Sequence, residues 1–500
     1  MRHSRSKYLI RKAAAYVCFF LFSLVSTENL AADNLWQFDP SLERIYKLVL
    51  NLQTEQAYTE LGQLKNANEL HKLYVQSLLE TVDLLITEDG KRFERINELF
   101  KQRIEKLSQM TESPETLFLR AELNLQRGFN LLNLGQEFNA VLAIRQAYTA
   151  SQECIKKYPL FIPIKKTHGV IQVMVGSVPD KYQWFMSLLG MRGSVKVGQK
   201  QLEELRLSKS SLSTEATILF YTIKGFLNQQ FGEAAKGFQE CLVKEPDSRL
   251  LLFLGINMLM KDSQSEEALK LIHSLDTRPQ GLPMDYIEYL RGEALLERGD
   301  YSQAIHAYQK FLKNFKSQSY RKDSYYKISL CYYLSGNIES ARKNLEIAKK
   351  TGTATADPDK YAAAMMEEGT FPNFKILKVR FYTDGGYYKE AREVLKTITP
   401  VDLPTEKDVT EFYYRKGRLA HKTQELSAAK LFYLQTIEMT GESPWYFAPN
   451  AALQLGYISQ AQGDLASAKM YFEKALSYKK YEYKSGIDSK ARSALDQMKK

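Results

Sequence analysis

The chain has 500 residues and a net charge of +11, with 44% hydrophobic and 25% charged residues. These fractions exclude wholesale disorder, and the length exceeds one compact core, so several domains or an elongated repeat array is expected. Glycine and proline are sparse, at 26 and 14 residues, which favours helices over a turn-rich β-protein. The basic excess forms no dense stripe of the kind that nucleic-acid binders carry, so we expect no nucleic-acid partner.

Residues 1–32 have the three parts of a secretory signal. A basic start, MRHSRSKYLIRK, precedes an apolar run from Ala13 to Val25 and a polar stretch with small residues. The run is shorter than the roughly 20 residues that span a bilayer, and Cys18 lies inside it, which argues against a lipoprotein anchor. We predict a bacterial chain exported to the periplasm or cell envelope with its signal peptide cleaved. The alternative is an uncleaved membrane anchor.

The region that follows the leader has apolar residues at helical spacing, and a degenerate repeat is predicted over 121–154. Residues 159–205 are apolar and punctuated by glycine and proline, which predicts short helices in tight contact. This segment contains an apolar cluster of Trp184, Phe185, Met186 and Met191. The cluster is either a surface for peripheral membrane or partner contact or part of the protein interior.

Beyond residue 215 a small residue and a bulky apolar residue recur in register at regular intervals. The small residue is Ala234, Ala268, Ala304, Ala341, Ala391, Ala429 and Ala468. The bulky residue, one helical turn later, is Phe238, Ile272, Tyr308, Leu345, Leu395, Tyr433 and Phe472. Two of the repeats have a glycine in the first helix, Gly292 and Gly456, where a close crossing of two helices requires a small residue.

This pattern resembles the tetratricopeptide repeat (TPR) family over roughly 215–482 and is similar to exported bacterial TPR proteins of unknown function. Segment 159–205 resembles the TTC39-type family of TPR proteins. The resemblance implies an all-α fold, an α-solenoid with a right-handed superhelix of TPR helix pairs, preceded by an N-terminal helical region. The predicted organisation is a signal peptide (1–32), an N-terminal helical region with degenerate repeats (33–210), TPR block one (211–355), an insertion or linker (356–371), TPR block two (372–482) and a basic C-terminal tail (483–500). The insertion is either a hinge or lid, or an addition without a role.

The family's groove-facing positions imply a partner-binding site rich in tyrosine and arginine, side chains that dominate binding hot spots. Such a groove suits a peptide or partner helix with acidic character. The alternative is that several of the tyrosines pack between repeats. The predicted groove residues are Tyr286, Tyr289, Tyr326, Lys327, Tyr333, Arg380, Tyr414, Arg415, Arg418, Lys422 and Tyr457.

Catalytic motifs are missing from the sequence. The six histidines are scattered without metal-ligand spacing, and neither a nucleophile elbow nor a phosphate-binding loop is present. We therefore predict no enzyme activity, no cofactor and no metal. The predicted function is a protein-binding scaffold of the cell envelope; the alternatives are an envelope carrier of glycan or lipid and, less favoured, an enzyme whose residues come from distant repeats.

Overall fold

The computed structural model describes residues 35–87, 89–178, 180–278, 281–354, 356–367 and 369–498. These residues form α-helices and one short 3-10 helix, and no β-strand occurs among them. They divide into two compact units, an N-terminal unit (35–223, 248–250 and 281–282) and a C-terminal unit (224–247, 251–278 and 283–498). The predicted signal peptide lies outside the described residues. Among the helices that are described, none combines the length and apolar character needed to cross a membrane.

The N-terminal unit is built from helices that follow one another with short connections. They are α1 (Pro40–Leu50), α2 (Thr54–Gln63), α3 (Glu69–Thr87), α4 (Gly90–Gln109), α5 (Pro114–Asn133), α6 (Glu137–Lys157), α7 (Ile164–Gly176), α8 (Asp180–Leu188), α9 (Val195–Arg206) and α10 (Ser213–Phe226), which runs into the C-terminal unit. Local sequence explains where several of these helices begin. Asp39 accepts backbone hydrogen bonds at the start of α1, and Ser113 forms a capping box with Thr116 at the start of α5.

The C-terminal unit is a series of antiparallel helix pairs. Its helices are α11 (Phe231–Lys244), α12 (Arg249–Lys261), α13 (Ser265–Asp276), α14 (Tyr286–Arg298), α15 (Tyr301–Asn314), α16 (Arg321–Leu334), α17 (Ile338–Lys350), α18 (Asp357–Glu367), α19 (Phe374–Gly385), α20 (Tyr388–Lys396), α21 (Glu406–Lys422), α22 (Leu426–Thr440), α23 (Phe447–Ala461), α24 (Leu465–Ser477) and α25 (Lys484–Met498). A 3-10 turn at Pro400–Asp402 precedes α21.

The recurring small residues lie where the two helices of each pair cross. All seven alanines of the predicted pattern have no exposed surface, from Ala234 to Ala468. Of the seven bulky residues, Phe238, Ile272, Tyr308, Tyr433 and Phe472 are fully buried, and the two leucines are half-buried. The sequence pattern therefore identified the packing contacts within the pairs, and the all-α solenoid of helix pairs is confirmed.

Several first helices of the pairs also pack against first helices of other pairs. Helix α14 packs against α19, α19 against α21, α21 against α23, and α23 against α25. Gly386, with φ of 88°, lies so close to the carbonyl oxygen of Ser263 that a β-carbon at position 386 would collide with it. Because glycine alone tolerates both this backbone and this approach, the contact depends on a residue without a side chain.

The predicted insertion contains a helix with a structural role. In α18, the fully buried Asp359 accepts hydrogen bonds from the backbone N–H groups of Tyr320 and Asp323, at 2.7 and 2.9 Å. These groups are at the start of α16, where Tyr320 has a positive φ of 62° and no capping side chain of its own. The insertion therefore caps a helix that its own sequence leaves uncapped. A hinge or lid role stays a prediction.

The glycine-rich segment of the N-terminal unit forms tight helix crossings, as its sequence predicts. Gly169 of α7 and Gly198 of α9 face one another, and a β-carbon on either would meet the other's backbone. The residues of the nearby apolar cluster differ in how far they are buried. Met191 is buried in the core, Phe185 and Met186 are half-buried, and Trp184 remains 66% exposed. A membrane or partner contact through Trp184 stays a prediction.

Candidate partner-binding cavity

An open cavity of about 1360 Å³ lies within the C-terminal unit. Its walls come from the turns inside four helix pairs and from two helices that follow them. The turns lie between α10 and α11, α12 and α13, α19 and α20, and α21 and α22, and the helices are α23 and α25. Because the turns stack side by side, their polar residues line one continuous space.

Four cationic side chains reach this cavity from three helices. Arg418 and Lys422 are one turn apart on α21 and therefore share a face. Lys490 comes from α25 and Lys261 from the end of α12. Burial, and after it the charge of Arg418, lowers the pKa of Lys422. Burial, and then the charges of Lys261 and Arg418, lowers the pKa of Lys490. The cations therefore influence one another across one shared space.

Arg418 and Lys422 are half-buried, Lys490 is exposed, and these three cations form no direct ion pair with the described residues. Among the described residues no carboxylate oxygen lies within 4.0 Å of the side-chain nitrogens of Arg418, Lys422 or Lys490. Arg418 donates to the neutral Oε1 of Gln454 at 3.3 Å and also interacts with the hydroxyl of Tyr433. Burial, with the charges of Arg418 and Lys422, lowers the pKa of His421 to about 4, so this histidine adds no charge at neutral pH.

Two of the three acidic residues of the lining pair with cations that lie outside the lining. Glu266 accepts a hydrogen bond from Tyr387 at 3.0 Å and lies 3.5 Å from Arg298. Glu267 pairs with Lys270 at 2.6 Å, and Asp262 accepts from the amide of Gln264. The cavity therefore has a net positive character.

The remaining lining is rich in amides and aromatic rings. The amides are Asn228, Gln229, Gln230, Gln264, Gln424, Gln454 and Gln460, and the aromatic residues are Phe226, Phe231, Tyr387, Tyr388 and Tyr457. Each amide offers both donors and an acceptor. Tyr457 packs edge-on against Phe472, with ring centroids 5.3 Å apart, which fixes its position in the wall.

The turn within each helix pair has one residue in the left-handed backbone conformation, at the same position before the buried alanine. Glycine takes this position in four turns, at Gly299, Gly336, Gly386 and Gly463. The other three turns have Gln229, Ser263 and Gln424, with φ of 60°, 63° and 62°. All three non-glycine residues line the cavity, and of the four glycines only Gly386 does. Left-handed backbone is costly for a residue with a side chain.

Three of the eleven predicted groove residues line the cavity: Arg418, Lys422 and Tyr457. Five others are buried: Tyr289, Tyr326, Lys327, Tyr414 and Arg415. Tyr289 donates to Asp323 at 2.8 Å, and Lys327 pairs with Glu293 at the same distance.

The last three predicted groove residues are half-buried and contact other aromatic side chains. Tyr286 stacks on Tyr289 with centroids 5.3 Å apart, Tyr333 stacks on Phe371 at 4.5 Å, and Arg380 donates to the hydroxyl of Tyr361. In the structure these contacts are internal to the unit. Partner contact by the eleven residues stays a prediction.

Several lining residues were absent from the sequence prediction because they lie outside the helix positions that it considered. Tyr387 and the glutamines of the turns fall between helices, Tyr388 is the first residue of α20, and Lys490 lies beyond the last repeat. The basic excess at the C-terminal end is the sequence signal that pointed towards Lys490. Within the described ranges, no group of three or more His, Cys, Asp or Glu side chains could hold a metal ion.

Comparisons with known proteins identify two of the helix pairs. Residues 287–317, which cover α14 and α15, and residues 449–481, which cover α23 and α24, each match the tetratricopeptide repeat. No curated protein sequence matches the chain.

Solved structures with similar helical arrays include the apo form of the quorum sensor NprR from B. thuringiensis. It is 14% identical with a TM-score of 0.30, and the match covers 80% of this chain and 98% of that chain. The human IFIT1 dimer with m7Gppp-AAAA is also 14% identical, with a TM-score of 0.33 and coverage of 89% and 96%. With two helix pairs matched directly and the same packing pattern along the C-terminal unit, the chain contains tetratricopeptide repeats within an all-α solenoid fold.

Proposed function

We propose that this chain is a non-catalytic scaffold of the cell envelope that holds a partner peptide or helix in the cavity of its C-terminal unit. Helical repeat proteins bind partners on the extended concave surfaces that stacked helix pairs create. The cavity is an open space of the C-terminal unit, lined by stacked turns and by residues of α21, α23 and α25.

The size of the cavity is the observation that carries this proposal. Its volume of about 1360 Å³ exceeds the range of about 300–1,000 Å³ that is common for small-molecule sites. The lining combines tyrosine, arginine and amides, which supply contact area and hydrogen bonds together. A segment of polypeptide fills such a space better than a small metabolite does.

The envelope location rests on the leader alone. Residues 1–32 combine a basic start, an apolar run and small residues before the first described helix. Export would place the cavity where it meets periplasmic or envelope proteins.

A glycan carrier is the second candidate, and the cavity lining is what favours it. Seven amide side chains and three tyrosines surround the space, and such groups pair with sugar hydroxyls as readily as with peptide bonds. A lipid is less well matched, because few aliphatic side chains line the cavity.

The proposal is tested by comparing partner capture by the native chain with capture by a variant whose cavity is partly filled by a larger side chain. Ala461 lies in the cavity wall and is exposed, so Ala461→Trp fills part of the space. Ala466 is equally exposed on α24 and outside the cavity, so Ala466→Trp is the matched control. We expect the native chain and A466W, used as baits on detergent-solubilised envelope, to capture the same defined protein, and A461W to lose it.

Two results would contradict the proposal. Equal capture of that protein by A461W would remove the cavity from the binding surface. Recovery of glycan or lipid without any defined protein would favour the carrier instead.

A further inference from the structure

We propose that the partner segment is acidic and extended, with its carboxylates bound by Arg418, Lys422 and Lys490 and its backbone amides bound by Gln229 and Gln424. This inference rests on the proposed function and specifies the chemistry of the ligand. It adds three residues, Lys490 and the two glutamines, that the repeat pattern does not mark as binding positions.

The three cations converge on the same region of the cavity. Arg418 and Lys422 share one face of α21, and Lys490 approaches from α25. Arg418 donates to Gln454 Oε1 at 3.3 Å and also interacts with the hydroxyl of Tyr433. Both groups are neutral, so its charge has no direct carboxylate partner among the described residues. Guanidinium groups bind carboxylates with two parallel hydrogen bonds, and ammonium groups add point charges around them.

Charge balance points to an anionic ligand. The carboxylates of Glu266 and Glu267 already have cationic or hydroxyl partners. Asp262 is the one lining carboxylate that acts on Lys422, and it does so from beyond ion-pair distance, so the three cations outnumber the negative charge that they face. A concave wall focuses the field of such charges. An incoming carboxylate therefore gains three favourable interactions and displaces no existing ion pair.

The left-handed turn residues provide an independent argument. The three turns that have a side chain at this position all border the cavity, and Gly299, Gly336 and Gly463 belong to turns away from it. Backbone strain that is retained at one place in a repeated structure indicates a use for the side chain there. Gln424 is exposed at the cavity wall, so its amide is accessible to a ligand. Gln229 is half-buried and donates to the carbonyl oxygen of Phe226 at 2.8 Å, so its amide oxygen and second N–H are the groups that a ligand would use.

An acidic peptide explains the whole lining better than a nucleic acid does. Amides at Gln229 and Gln424 match the alternating N–H and C=O groups of an extended backbone. A polyanion would also have to pass the carboxylates of Glu266 and Glu267 in the same wall. A peptide, unlike a polyanion, can have acidic side chains next to the three cations and neutral residues next to Glu266 and Glu267.

The experiment compares two blocked, fluorescently labelled hexapeptides, one of alternating glutamate and glycine and one with glutamine in place of glutamate. Fluorescence anisotropy with the full mature chain measures both, and we expect tighter binding of the glutamate peptide that weakens with added salt. Lys490→Gln should weaken that binding about tenfold, which corresponds to about 1.4 kcal/mol. Lys469→Gln, an exposed lysine of α24 outside the cavity, should leave it unchanged.

If Gln424 binds the peptide backbone, one variant of this residue should gain stability and lose affinity for the peptide. Gln424→Gly relieves a left-handed backbone and should raise the unfolding midpoint, as relief of strain does at such positions. The same variant should bind the glutamate peptide several-fold more weakly. A purely structural glutamine would give the first change without the second, and that result would overturn its assignment.

The failure of this inference is distinguishable from failure of the proposed function. Equal affinity for the two peptides, or binding by neither, overturns the acidic-ligand inference, as does tighter binding of a single-stranded oligonucleotide. If A461W still loses its captured protein while the peptides show no preference, the scaffold function stands and the ligand chemistry is wrong. If inorganic phosphate competes as well as the glutamate peptide does, the cations bind small oxyanions and the glutamines have no role.

Discussion

The ring of Tyr308 packs directly against Gly292, where a β-carbon would come within 2.7 Å of the ring. The same contact recurs at the same spacing between Gly417 and Tyr433, at 2.8 Å. In each case a glycine in the first helix of a pair accommodates a tyrosine from the second. The absence of a side chain at one position therefore sets how closely the two helices cross.

Replacing Gly292 with alanine should destabilise the C-terminal unit. Alanine favours the helix by about 1 kcal/mol, but its methyl group must displace a fully buried ring, which costs about 1–3 kcal/mol. Chemical unfolding followed by circular dichroism should show an earlier midpoint for Gly292→Ala. Gly486 in α25 is the control, because a β-carbon there has no neighbour within 4 Å. A loss of stability in Gly486→Ala as large as in Gly292→Ala would contradict the packing argument.

Contacts within each helix pair could be predicted from the sequence because they repeat. Small and bulky residues must alternate in register wherever two helices cross, so Ala304 and Tyr308 are recognisable without a structure. Contacts between distant pairs do not repeat and leave no such pattern. Gly386 against Ser263 is one example, and Asp359 at the start of α16 is another.

The position of the binding surface was harder to predict for the same reason. The repeat pattern assigns the same groove-facing positions in every first helix, but α14 packs on α19 and closes part of that surface. Tyr289 and Lys327 therefore contact Asp323 and Glu293 inside the unit. Arg418 belongs to the stretch that stays open. Which positions remain open depends on the curvature of the array, and no single repeat encodes that curvature.

Lys166 should be among the most sensitive residues of the N-terminal unit. Its Nζ lies 2.7 Å from Glu122 Oε1, also pairs with Glu215, and donates to the hydroxyl of Tyr74 at 2.6 Å. Burial works to lower the pKa of Lys166, but the two carboxylates raise it above its usual value. Lys166→Met would leave two buried carboxylates without a cation, so we expect a loss of about 3–5 kcal/mol in unfolding free energy.

The neighbouring lysine provides the control for Lys166. Lys165 pairs with Glu204 at 2.6 Å on the surface, where ion pairs contribute about 0–1 kcal/mol. Denaturant unfolding of Lys165→Met should therefore resemble that of the native chain. If both variants lose the same stability, the buried network has no special role in holding α3, α5, α7 and α10 together.

Asp359 should stabilise the start of α16 from outside that helix. Asp359→Ala removes the acceptor for two backbone N–H groups, and the loss of such a cap costs about 1–2 kcal/mol. Hydrogen exchange should show faster exchange confined to the first turn of α16. Asp357→Ala, an exposed position in the same helix, is the comparison and should leave that turn protected. Unchanged protection in Asp359→Ala would show that α16 needs no external cap.

Glu297 should make the stability of the C-terminal unit depend on pH. Its carboxyl group accepts a hydrogen bond from Ser265 Oγ and lies near Glu293 and Asp384. Burial raises its pKa to about 8, against the lowering effect of the Ser265 hydrogen bond. A carboxyl group whose pKa is higher in the folded state binds its proton more tightly there. Folding stability is therefore greatest below the unfolded pKa and falls as the pH rises from about 4.5 towards 8.

Glu297→Gln retains the shape and hydrogen bonding of the protonated acid and cannot ionise. Unfolding midpoints measured across this pH range should fall less steeply in this variant than in the native chain, and the variant should be the more stable of the two at the alkaline end. Asp323, whose pKa burial also raises, to about 7, remains in both proteins and accounts for the slope that persists. Glu339→Gln on the exposed face of α17 is the control. If Glu297→Gln and Glu339→Gln share the slope of the native chain, Glu297 is ionised in the folded protein at neutral pH.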